Sequence, residues 1–182
     1  MRSEISIILC IYFVAVISLF IIPEGGAMKK INLSSGAFTE GGVIPTKHTC
    51  DGADLSPALK WEGIPKGAKS IALICDDPDA PAETWVHWVI FNIPAGSSEL
   101  KEGVLSSENL PDGSRQGKND FRRIGYGGPC PPPGNPHRYY FKLYALDSVP
   151  DLKAGSKKAE LLKAIDGHIL AEGSLMGKYA RK

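Results

Sequence analysis

The fifteen residues from Gly125 to Tyr139 (GYGGPCPPPGNPHRY) constrain this chain more than any other stretch. They hold four glycines and five prolines, together with His137 and Arg138. Prolines at this density remove backbone donors and exclude a helix. The stretch must be a stiff, pre-shaped loop. It delivers His137 and Arg138 to the start of a strand-like run that continues to Ala145. With 20 glycines and 14 prolines overall, the chain reads as short strands joined by many turns.

The chain has 182 residues, enough for one domain with a sizeable core. Its net charge is +1 and it carries no basic run, so nucleic acid is not an expected partner. Residues 1–27 stand apart. Ile5 to Ile22 is an uncharged apolar run, preceded by Arg2 and followed by Gly25 and Ala27, small residues suited to a cleavage site before Met28. The run is also just long enough to span a bilayer. Three readings stay open: export to a periplasmic or extracellular space, retention as a membrane anchor through residues 5–22, or a cytoplasmic protein that starts at Met28. Under all three, residues 28–182 are the folded unit.

Four cysteines are present. Cys10 lies in the apolar run, and Cys75 sits mid-strand as a small hydrophobe. Cys50 and Cys130 both lie in Gly/Pro-rich loops. In an exported domain they are disulfide candidates; two separate free thiols are the equal alternative. No paired C-x-x-C suggests zinc, and no cofactor is expected.

Three strands read clearly, each with a two-residue period. Ile71, Leu73, Cys75 and Asp77 share a face on the first. His87, Val89, Phe91 and Ile93 share one on the second, and His137, Tyr139, Phe141 and Leu143 on the third. Residues 31–38 suggest an edge strand, Leu59 to Trp61 a short strand with Trp61 inward, and His168 to Tyr179 a closing strand. Residues 46–58 read as a polar loop and Ala95 to Gly117 as a long polar connection. Lys157 to Ile165 is helical, with Ser156 as N-cap. The sum is a mainly β fold: a Greek-key β-sandwich with one or two peripheral helices.

Asp77 ends the first strand, while His87 and His137 begin the other two. If the first strand runs antiparallel to both, these groups and Tyr139 converge at one end of the core, in a pocket with an apolar floor and a polar mouth. Taken alone, each histidine is more simply a solvated rim residue, and an Asp before a Pro a turn former. Their convergence beside rigid loops favours a site. His48 and His168 lack that setting and read as surface or satisfied residues. Two imidazoles, a phenol and the backbone N–H groups around Gly127 and Gly128 suit a phosphate-like oxyanion. Asp77 would then orient a histidine. A two-His, one-carboxylate metal site from Asp77 or Asp79 with His87 and His137 ranks below the anion, and no metal is assigned.

Asp77-Pro-Asp-Ala-Pro81, Trp85-Val-His-Trp88, and Gly128-Pro-Cys-Pro-Pro132 followed by His137-Arg-Tyr139 resemble motifs of the phosphatidylethanolamine-binding proteins, also called Raf kinase inhibitor-like proteins. Cys50-Asp-Gly52 with Ser56-Pro57, and Gly167 to Glu172, are similar to the bacterial and archaeal branch. The resemblance covers nearly all of residues 28–182. It implies a β-sandwich whose pocket accepts phosphate, acetate or a phospholipid head group. It carries the pocket over to Asp77, Pro81, Trp85, His87, Gly128, Pro129, His137 and Tyr139, with Asp79 organising the same loop. The expected function is a non-enzymatic phospho-ligand-binding module that regulates a kinase or protease. The alternatives are a His/Asp-dependent hydrolase or lyase, for which Cys130 is the one candidate nucleophile in the rim, and a lipid head-group carrier at a membrane surface.

Overall fold

Two β-sheets face each other across one apolar core in the computed structural model, which describes residues 29–181. The apolar run of residues 5–22 and its export or anchor reading lie outside the described residues. The strands are β1 (Lys29–Lys30), β2 (Asn32–Ser35), β3 (Leu59–Glu62), β4 (Ser70–Asp77), β5 (Trp85–Pro94), β6 (Glu99–Leu100), β7 (Arg115–Gln116), β8 (His137–Leu146) and β9 (Ile169–Tyr179). One helix, α1 (Lys158–Ile165), lies between β8 and β9. The larger sheet has the order β1-β9-β8-β4-β5-β7 and the smaller β2-β3-β6. The run β8-β4-β5-β7 is a Greek key: β4, β5 and β7 are successive neighbours, and β8 returns over a long connection to lie beside β4.

β4 is the central strand, antiparallel to β5 on one side and to β8 on the other. All eight of its residues are buried. Ile71, Leu73 and Cys75 face the smaller sheet and pack with Trp61, Trp88, Phe141 and Leu143. Ala72 and Ile74 face the other way, onto Leu161 and Ile165 of α1. Each large aliphatic side chain buried there contributes roughly 2 kcal/mol. On that face Asp76 is fully buried, and its carboxylate accepts from Lys142 and from Lys158, which opens α1. A carboxylate this deep requires such pairing.

The strand faces agree with the period-two reading on β4 and β8 and depart from it on β5. Cys75 pairs with Trp88 but Asp76 pairs with Val86, so His87 is an inserted bulge residue. A second shift lies between Ile71 and Leu73, opposite Asn92, whose φ is 58°. Each bulge resets the alternation. His87 and Trp88 therefore both turn toward the smaller sheet, while Val89 and Phe91 turn to the α1 side instead of sharing the face of His87 and Ile93.

Other expectations shift by smaller amounts. The N-cap is Lys157 rather than Ser156, because the Glu160 carboxylate reaches back to accept from the Lys157 N–H at 2.8 Å. The connection after Ala95 contains β6 and β7, each two residues long and too short to show a period. There Gln116 is fully buried. Its Oε1 accepts from Trp88 Nε1 at 2.8 Å, and its Nε2 donates to the carbonyls of Leu105 and Ser107. Residues 46–58 form a polar loop with a buried heart: His48 is fully enclosed and its Nδ1 lies 2.8 Å from Leu55 O. β9 alternates buried residues with glycines where backbones close in. A Cβ on Gly173 would lie 2.5 Å from Ile31 O, so only glycine fits.

Candidate functional site

The antiparallel pairing of β4 with β5 and β8 brings the C-terminal end of β4 to the N-terminal ends of its neighbours. Asp77, His87 and His137 meet there. With Ala80, Pro81, Trp85, Phe121, Cys130, Pro131 and Pro132 they line a cavity of about 200 Å³. That volume is below the usual range for drug-sized ligands and suits a small polar group.

The two imidazoles are pinned in the same way. His137 Nδ1 lies 2.8 Å from Asp77 Oδ2, and His87 Nδ1 lies 2.7 Å from Gly127 O. Both partners are acceptors, so each Nδ1 carries a proton and donates. The neutral rings are left with Nε2 as a bare lone pair. Either ring can donate a second hydrogen bond only as an imidazolium. Burial pushes the His87 pKa below its ordinary value, opposed by the Gly127 carbonyl and by the charge of Asp77. Asp77 is itself fixed, because its Oδ1 accepts the Asp79 N–H at 2.8 Å.

Around the imidazoles stand aromatic rings. His87 meets Tyr139 edge-on at 5.1 Å between centroids and Phe121 at 5.3 Å, and Phe121 meets Trp85 at 5.4 Å. Two donors in this cluster, Trp85 Nε1 and Tyr139 Oη, are buried with no hydrogen-bond partner. A buried polar group left without a partner costs about 1–3 kcal/mol. The Tyr139 phenol is pushed up, first by burial and then by the Asp77 charge, and stays a donor.

The loop residues do less than the sequence suggested. Gly127 and Gly128 do not offer their N–H groups to a ligand. Gly127 N–H donates to His87 O at 2.9 Å, and Gly128 N–H to Asp54 Oδ1 at 2.6 Å. Gly128 and Pro129 are buried beneath the rim, outside the cavity lining, where the Pro129 carbonyl accepts from the Cys50 N–H. Asp79 also lies outside it, lining a neighbouring hollow with His137, Arg138 and Lys178. Its carboxylate takes a fork from Arg138 (2.6 and 2.9 Å) and also the Arg138 backbone N–H, which holds its pKa down at about 2. Asp79 thus fixes the entrance of β8 rather than a ligand. Pro81 and Trp85 line the cavity, while Tyr139 stands behind His87. Among the described residues no group of three or more His, Cys, Asp or Glu is arranged to hold a metal ion.

Residues that the sequence reading passed over complete the site. Phe121 is a wall, held because Asp120 accepts the Val86 N–H at 2.7 Å and Asn119 Nδ2 donates to Gly125 O at 2.9 Å. Asp54 grips both the Gly128 N–H and Arg123. A lone phenylalanine in a polar run is the one hint of this wall in the sequence; Asp54 has no local hint. Cys50 and Cys130 are joined as a disulfide, their Cα atoms 5.4 Å apart, and Cys75 is free and buried.

The chain is similar to known proteins along most of its length. A UPF0098 protein of Methanothermobacter thermautotrophicus is 56% identical over 151 residues, covering 83% of this chain and 99% of that protein. A second UPF0098 protein, from Pyrococcus horikoshii, is 46% identical over 162 residues, 87% of this chain and 81% of its own length. A crystal structure of a phosphatidylethanolamine-binding protein homologue from Chlamydia trachomatis superposes with a TM-score of 0.77 at 41% identity, covering 85% of this chain and 99% of that one. The crystal structure of E. coli YbcL, described as a member of the mammalian family, gives 0.76 at 34% identity, with 84% and 99% covered. The sequence profile of the phosphatidylethanolamine-binding proteins matches residues 34–180, and this chain belongs to that family.

Proposed function

We propose that this protein is a non-enzymatic binding module whose cavity takes a small oxyanion, free or as the phosphoryl group of a larger ligand. One observation carries the reading: the donor set at the cavity. His87 and His137 are each pinned through Nδ1, with Nε2 left over, and Trp85 Nε1, a further donor of the lining, is buried without a partner. An acceptor-rich anion satisfies all three, each imidazole donating once protonated. The binding is therefore linked to proton uptake and strengthens as pH falls.

A hydrolytic reading has less support. The Asp77–His137 pair resembles an acid–base dyad, but among the described residues the lining places no hydroxyl nucleophile beside it. Cys130, the one thiol of the lining, is consumed in the disulfide. The same donor set accommodates a phosphorylated side chain of another protein. That is the route by which such a module would regulate a kinase or protease. The test is a titration of the full chain with inorganic phosphate, followed by NMR of the imidazole protons. His87 and His137 are expected to move together and saturate. If neither responds at millimolar phosphate, the reading is wrong.

A further inference from the structure

We infer that the Cys50–Cys130 disulfide is a thiol–disulfide exchange site, and that its reduction loosens one wall of the cavity and weakens anion binding. The second half rests on the anion reading above; the first does not.

Both cysteines are exposed, so a thiolate from solution can reach the bond. Cys130 also lines the cavity, directly before Pro131 and Pro132, which form the same wall. The loop of residues 46–58 holds the rim at four points: the Tyr126 hydroxyl on His48 O, Asp54 on the Gly128 N–H, the Cys50 N–H on Pro129 O, and the disulfide. That loop is tied to the sheet by Asp51, which accepts from Tyr179 Oη at 2.8 Å and from Arg181 Nε at 3.1 Å. Beyond Cys130 the chain cannot fasten itself by backbone donation, because Pro131, Pro132 and Pro133 have no N–H. The next tie to the sheet is an isolated bridge between Pro133 and Arg181. The covalent bond is thus the fastening within the stretch that closes the cavity, between the tie at Pro129 and the bridge at Pro133. Breaking it leaves Pro129 and Pro133 held and loosens the Cys130–Pro132 wall between them.

The reductant is a dithiol. Its thiolate attacks one sulfur of the pair, forming a mixed disulfide, and the other cysteine sulfur leaves as a thiolate and takes up a proton. The second thiol of the reductant then closes on the mixed disulfide and releases the second cysteine. The protein gains two electrons and two protons, and the dithiol becomes a cyclic disulfide.

The experiment compares the full chain, folded and oxidised, with the same protein treated with dithiothreitol under native conditions. Three readouts are taken: the increase in titratable thiols, the imidazole resonances of His137 with the indole N–H of Trp85 in ligand-free protein, and the Kd for inorganic phosphate. The expected result is two additional thiols, displaced His137 and Trp85 resonances, and at least about a tenfold weaker Kd. The Cys50→Ser/Cys130→Ser double variant should match the reduced protein and ignore dithiothreitol. If that variant does not fold, the reduced wild-type protein carries the comparison. A bond that resists excess dithiothreitol in the native protein overturns the inference. So do two released thiols with unmoved His137 and Trp85 resonances, or with an unchanged Kd. Failure of the oxidised protein to bind phosphate at all would sink the anion reading, and the ligand-free resonances then decide whether reduction opens the wall.

Discussion

Lowering the pH should tighten anion binding, and the structure sets how steeply. In the neutral protein both His87 and His137 spend their only ring proton on Nδ1, toward Gly127 O and Asp77 Oδ2. Neither can donate to an anion until Nε2 is protonated. A free His87 resists this, since burial holds its pKa below the ordinary 6.5. A bound anion raises it. Between the free and bound pKa values, binding takes up a proton, so affinity must fall as pH rises, by about tenfold per pH unit for each ring involved. Each charge-assisted hydrogen bond formed is worth about 1.5–3 kcal/mol, or about ten- to a hundredfold in affinity. Sulfate is the right probe because its own charge does not titrate in this range. Calorimetry between about pH 6 and pH 8 should give a slope of log Kd approaching about one decade per unit from His87, with matching proton uptake in buffers of different ionisation heat. The Asp77→Asn variant sharpens the test. The introduced amide must keep its oxygen on the Asp79 N–H, so its NH2 group faces His137 Nδ1 and donates. The proton of His137 then moves to Nε2, where the neutral ring can serve the anion. Sulfate binding above neutral pH should then improve. A pH-independent sulfate affinity, or a variant that binds sulfate no better than the wild type above neutral pH, would refute the reasoning.

Tyr139→Phe removes a buried hydroxyl that has no partner. The free protein should gain up to about 1 kcal/mol in urea unfolding. Gln116→Ala strands the Trp88 indole N–H and two carbonyls. It should cost about 2–4 kcal/mol of stability yet leave sulfate binding unchanged, a control for packing alone. The disulfide links residues 80 apart in sequence, so opening it should cost about 4 kcal/mol of stability, read as a Tm lower by roughly 10 °C. Because the folded His87 pKa lies below its unfolded value, the unfolded chain binds that proton first. Its contribution makes the free protein less stable as pH falls below about 6.5, by at most about 1.4 kcal/mol per pH unit until His87 itself protonates. Urea unfolding of wild type against a His87→Gln variant reads it as a difference in pH dependence.

The site was legible in the sequence where a strand keeps an unbroken period. β8 presents His137, Tyr139, Phe141 and Leu143 on one face, as its sequence suggests, and β4 does the same with Asp77. β5 was misread because its bulge at His87 and its second shift near Asn92 reset the alternation. Asn92 tolerates a left-handed backbone, but nothing local says that His87 is the inserted residue. The rim was misread for a different reason. Its glycines do carry N–H groups, but Asp54, 74 residues away, takes one of them, and no local pattern encodes a partner at that distance. Likewise, β6 and β7 are two-residue pairings that exist because β3 and β5 lie beside them. The Cys50–Cys130 pairing was open between a bridge and two thiols, because two loops can be seen in a sequence but the distance between them cannot.

Everything proposed for this cavity depends on its donors receiving a single anion. A crystal of the oxidised protein soaked with sulfate at low pH tests that most directly. The expected result is a tetrahedral anion in the cavity of Asp77, Trp85 and Pro131, within hydrogen-bond distance of His87 Nε2, His137 Nε2 and Trp85 Nε1. A cavity holding no anion, with sulfate instead on exposed lysines such as Lys29 and Lys30, would contradict it.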